Sequence, residues 1–133
     1  MIKKYSLLSL KPVWRMENAD GQGPYRNPPV FNEMKALFSA EEIGSRSRPT
    51  PIQDEKLKDI FCRIVDKGLQ KNWKFGFETE EDFTCWFSSE DVLEFLSGAG
   101  FEKKIYHVDP EFIYSGTHQC MFWRPAAMQY PQR

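Results

Sequence analysis

Apolar and polar positions change period several times along the 133-residue chain, and each change marks an element. Residues 4–17, "KYSLLSLKPVWRME", read as strand. Pro12 forces an edge position, a bulge or a break there, because proline has no amide hydrogen to give a ladder. Residues 18–30 read as loop, with Asp20-Gly21, Gly23-Pro24 and Pro28-Pro29 as breakers. Phe31, Met34, Leu37 and Phe38 then recur at helical spacing, with Gly44 as a stop. After a second loop at 45–51, Thr50, Pro51 and Gln53 have the form of a capping box with proline at the first helical position. The helix expected over 51–67 carries Leu57, Ile60, Phe61, Ile64 and Val65 on one stripe and charge elsewhere.

"KNWKFGFET" (71–79) switches to period two, placing Trp73, Phe75 and Phe77 on one side of a strand. Thr79 is positioned to cap a short helix ending near Trp86-Phe87, and Ser88 or Ser89 a second one through Leu96, stopped by Gly98 and Gly100. Residues 101–108, 111–115 and 117–123 read as strands, the last two forming a hairpin across Ser115-Gly116. Strands and helices in this order predict an α+β fold. The expectation is a single compact domain over 1–124, with a mixed or antiparallel sheet, three to four helices and a polar tail at 125–133.

Composition narrows the function classes. The chain is 41% hydrophobic and 28% charged, which places it among globular rather than disordered sequences. Aromatics make up 15%, eleven of them Phe, so the core should be rich in rings. Eighteen basic against nineteen acidic side chains give a net charge of −1, against the cationic excess that sequence-independent nucleic-acid binders use. Cys62, Cys85 and Cys120 are odd in number and far apart, and only His107 and His118 could join them. They predict three buried free thiols and neither a disulfide scaffold nor a metal site. The short N-terminal apolar run is interrupted by Ser6, Ser9 and Lys11. With no longer apolar stretch, the expected location is the cytoplasm.

Candidate chemistry is sparse. The chain has no phosphate-cradling glycine motif and no nucleophile elbow. His118 lies two residues from Cys120, about 6.6 Å by strand rise, too far for a direct proton hand-off. Arg15 and Glu17 share one face of the first strand and lead into a glycine loop ending in Pro24-Tyr25. That face reads either as a pocket wall or as an ordinary surface pair.

A pattern runs through nearly the whole chain: Trp14-Arg15-Met16-Glu17-Asn18, Gly21-x-Gly23-Pro24-Tyr25, Phe75-Gly76-Phe77-x-Thr79, Trp86-Phe87, Gly100-Phe101, Tyr106-x-Val108 and Gly116-x-His118-Gln119-x-x-Phe122. It resembles small proteins of bacteriophages and prophages. More faintly, the same layout resembles a minimal ADP-ribosyltransferase with its split sheet. That resemblance implies NAD, or another ADP-ribose-containing molecule, as ligand and a host protein as target. It implies a catalytic trio of Arg15, Thr79 and Gln119, with Glu17, Gly23, Tyr25 and Phe77 lining the ligand. Gln119 stands where such proteins carry Glu, and an amide neither accepts a proton nor balances a developing positive charge. Binding is therefore implied more directly than transfer. Two alternatives stay open: a non-catalytic phage inhibitor that blocks a host defence protein, and a nucleic-acid module using Trp14, Tyr25, Arg26, Arg46 and Arg48. Thr79 also reads as a plain helix cap, and Gln119 as a locally bonded amide.

Overall fold

The computed structural model describes residues 10–41, 54–69 and 71–129. In chain order these form β1 (Lys11–Glu17), α1 (Pro28–Glu41), α2 (Lys58–Asp66), β2 (Trp73–Gly76), α3 (Glu80–Trp86), α4 (Glu90–Gly98), β3 (Glu102–Val108), β4 (Ile113–Ser115), β5 (Cys120–Trp123) and β6 (Ala127–Gln129). The class is α+β, with four helices and two three-stranded antiparallel sheets among the described residues. One sheet has the order β1-β3-β6, the other β2-β5-β4. They meet where Trp14 and Phe77 exchange backbone hydrogen bonds of 2.8 Å in both directions.

Pro12 sits in β1 opposite His107 without breaking the ladder. Amides alternate sides along a strand, and that of Trp14 points away from β3 toward Phe77. Pro12 shares that orientation, so its missing hydrogen falls on the sheet's outer edge. Gly76 marks the junction of the sheets. A Cβ there would lie 2.5 Å from Val13 Cγ1 and 2.9 Å from the Trp14 carbonyl oxygen, so only glycine lets the strands approach this closely.

Side-chain alternation divides the interior. Trp14 and Met16 face α1, α3 and α4 and pack with Met34, Phe77, Phe83, Trp86, Phe87, Val92 and Leu96. Val13, on the opposite face of β1, packs with Tyr106, Val108, Cys120 and Phe122. α2 lays Leu57 and Ile64 on Met121, with Ile60, Phe61, Trp73 and Phe75 partly buried around them. β5 is thus apolar on both faces, with Cys120 and Phe122 in one cluster and Met121 in the other.

Several elements differ from their sequence expectation for identifiable reasons. α1 begins at Pro28, inside the expected loop, because proline suits the first turn and the Asn27 side chain accepts the Val30 amide at 3.4 Å. α2 begins at Lys58 after a turn opened by Asp54; the expected cap at Thr50 lies outside the described residues, as do Gly44 and residues 4–9. Val65 is exposed, one position beyond the stripe that the sheet covers. Phe77 leaves the Trp73–Phe75 side and joins the helical cluster, since its backbone has switched partners from β5 to β1. Cys62 and Cys85 are exposed, and only Cys120 is a buried thiol. Within the segment expected as tail, Ala127–Gln129 add β6 to β3, and Ala127 packs against the Val13–Phe122 cluster.

The β4–β5 hairpin forms as expected, with Ile113 opposite Phe122 and Ser115 opposite Cys120, but residues 116–119 connect it. Gly116 is needed for space and not for a positive φ. A Cβ there would lie 2.5 Å from the Gln119 carbonyl oxygen, 2.6 Å from Asp54 Oδ2 and 2.7 Å from Leu57 Cδ1. Asp54 Oδ2 accepts the Thr117 amide at 2.9 Å, clamping the turn to the start of α2.

Candidate functional site

The Val13 face of β1 continues into Arg15 and Glu17, and there the core becomes ionic. Arg15 and Glu17 are 5% and 4% exposed. Arg15 Nε donates to Glu17 Oε2 at 2.8 Å, Nη1 to the Phe75 carbonyl at 2.7 Å and Nη2 to the Gly21 carbonyl at 3.3 Å. These bonds account for the glycine loop. Asn18 Oδ1 accepts the amides of Asp20 and Gln22, turning the chain back over the guanidinium. A Cβ on Gly23 would then stand 3.2 Å from Arg15 Nη2.

Tyr106, fully buried on β3, donates its hydroxyl hydrogen to Glu17 Oε1. The Arg124 guanidinium lies over the Tyr106 ring, 4.4 Å from its centroid, and reaches the phenol oxygen at 3.5 Å. Arg124 is fixed from behind by its amide, which donates to the Asn72 carbonyl at 2.7 Å. Lys74 stands opposite Phe122 in the β2–β5 ladder, and paired residues project to one face. It therefore points to the same side as Phe122, Val13 and Arg15.

Among the described residues Arg15, Glu17, Tyr106 and Arg124 form one linked network, and Lys74 lies within electrostatic range of Arg15, Arg124, Glu17 and the exposed Arg26. Burial pulls the Arg15 guanidinium below the ordinary arginine range, and the Glu17 carboxylate opposes it. Burial first, then Arg15 and Arg26, hold the Lys74 ammonium below the usual lysine range. Tyr106 is pushed up to about 12, mainly by burial and then by its bond to Glu17.

Of the residues singled out from sequence, Arg15, Glu17 and Gly23 come together here. Thr79 is exposed at the start of α3, where its hydroxyl accepts the Asp82 amide at 3.0 Å as an N-cap. Phe77 lies in the helical core, edge-on to Phe83 and Phe87. Gln119 is buried in the β4–β5 connection beside Gly116. Tyr25 is 46% exposed; its hydroxyl accepts from Trp86 Nε1 at 2.9 Å and its ring leans on Phe31. Lys74 and Arg124 carry no local signal, and Tyr106 stands only within the phage pattern; strand register and the turn after β5 bring them to this site.

Residues 5–132 match the family described as Bacteriophage T4 Y00F protein. The chain belongs to that family. No curated protein and no solved structure is matched. Membership of the Y00F family bears on the phage half of the sequence resemblance and leaves the transferase half to experiment. No described helix is long and apolar enough to cross a membrane.

Proposed function

We propose that this Y00F-family chain is a phage accessory protein of the host cytoplasm that binds a phosphate-bearing ligand. Molecules containing ADP-ribose, NAD among them, are the members of that class to which the sequence resemblance points. The observation that supports this is Arg124 stacked on a buried Arg15–Glu17–Tyr106 network, with Lys74 on the same side of the sheet and Arg26 within electrostatic range of it. Cations within range of one another repel, and an oxyanion entering among them relieves the repulsion. Tyr25, next to Arg26 in sequence, is 46% exposed and offers an aromatic surface on which a flat base can stack.

The reading is of a binder and not a transferase. Arg15 has its donors engaged within the protein, Thr79 caps a helix, and Gln119 is an amide where the chemistry requires a carboxylate. Thermal unfolding with pyrophosphate, ADP-ribose, NAD and nicotinamide tests it. The phosphate compounds are expected to stabilise, by about 2.7 kcal/mol at one hundred times the dissociation constant, and nicotinamide to do nothing. Stabilisation by none of the phosphate compounds would overturn the reading and favour the host-protein inhibitor in its place.

A further inference from the structure

Lys74 is the amine of this cluster, and it is built differently from a surface lysine. Its backbone is fixed on both sides: Phe75 next to it holds Arg15 through its carbonyl, and Asn72 two residues earlier holds Arg124. Its side chain rises on the Phe122 side of the ladder and is only half-buried, so reagents reach it. Arg15, Arg26 and Arg124 all lie within electrostatic range, and Glu17 is the carboxylate that opposes them. Phe122, beneath it, is fully buried and packs on Tyr106, the ring that Arg124 covers.

We propose that Lys74 is a reactive amine that forms an imine with phosphorylated aldehydes, the neighbouring arginines holding the phosphate. This rests on the phosphate-binding reading above and names a covalent chemistry for the same site. The physical reason is general: a lysine beside other cations and partly out of water is more readily neutral, and only the neutral amine is a nucleophile. Burial and the adjacent guanidinium groups act on Lys74 in that direction. The Lys74 ammonium first gives one proton to solvent. Its nitrogen lone pair then attacks the aldehyde carbon, and the two remaining amine hydrogens leave with the carbonyl oxygen as water. A carbon–nitrogen double bond is left. No oxidant or metal is required.

The test uses the intact protein with pyridoxal 5′-phosphate as probe, borohydride as the hydride donor that fixes the imine as a secondary amine, and peptide mapping by mass spectrometry. Lys74 is expected to label several-fold faster than the exposed Lys103, with a half-maximal pH below the ordinary lysine range. Pyridoxal without the phosphate should lose most of that preference. Arg26→Ala, at an exposed position, should move the half-maximal pH upward while leaving the fold intact, and Lys74→Arg should remove the labelled peptide. Labelling of Lys74 no faster than Lys103 contradicts the inference. If pyrophosphate still stabilises the protein in that case, the binding reading survives and only the reactive amine fails. Equal labelling by pyridoxal and its phosphate would refute the phosphate-guided form of the proposal.

Discussion

Arg15 is held by a carboxylate and two backbone carbonyls, and each of its partners depends on it in return. Removing Arg15 takes from the buried Glu17 its direct ion pair, and removing Glu17 leaves the buried Arg15 among other cations without its carboxylate. Arg15→Ala and Glu17→Ala are therefore each expected to cost about 3–5 kcal/mol in denaturant unfolding. Losses below about 1 kcal/mol, typical of an exposed pair, would contradict the burial described. Tyr106 adds a pH dependence. Its folded value of about 12 lies above the ordinary 10.0, so folding favours the neutral phenol. That contribution is complete below pH 10 and is lost as pH rises from 10 toward 12, because a phenolate cannot donate to Glu17. Tyr106→Phe should flatten part of the alkaline fall in stability measured across that range. The buried Cys120 thiol, also pushed up, contributes a component of the same sign that the variant retains. The sequence shows Arg15 and Glu17 on one face, since alternation is local. It does not show their burial, because the donor that completes Glu17 lies 89 residues away.

Among the elements, those shaped by local rules are readable in advance. The caps at Thr79 and Ser89 and the α2 stripe from Leu57 to Ile64 rest on residues within one or two turns of each other. Boundaries set by tertiary contacts are not readable in this way: Val65 continues the stripe but has no sheet to cover it. Glycines divide similarly. Gly116 lies in an expected turn, yet its reason is the crowd of Asp54, Leu57 and Gln119, which belongs to α2 as much as to the hairpin. Gly76→Ala and Gly116→Ala should each destabilise by about 1–3 kcal/mol, as overpacking does in a filled site. Gly76→Ala should in addition disturb β1, because the added methyl meets Val13 and the Trp14 carbonyl. Hydrogen exchange reads this directly. Unchanged protection of the Trp14 and Phe77 amides in that variant would mean that the junction tolerates the methyl.

For the whole molecule, the joining of two small sheets decides where charge collects. β1 brings Arg15 and Glu17, β2 brings Lys74, β3 brings Tyr106, and the turn after β5 brings Arg124. A chain with a net charge of −1 thereby concentrates cations on one face, a feature invisible to composition because it depends on register. The central claim is that this face takes phosphate. It is tested most directly by backbone-amide NMR during titration with ADP-ribose. The expected result is saturable shifts concentrated at Tyr25, Arg26, Lys74 and Arg124, reproduced in part by pyrophosphate and weakened in Lys74→Gln. Shifts centred elsewhere, or none at millimolar ligand where even a weak site of about −4.1 kcal/mol would half-fill, would contradict it.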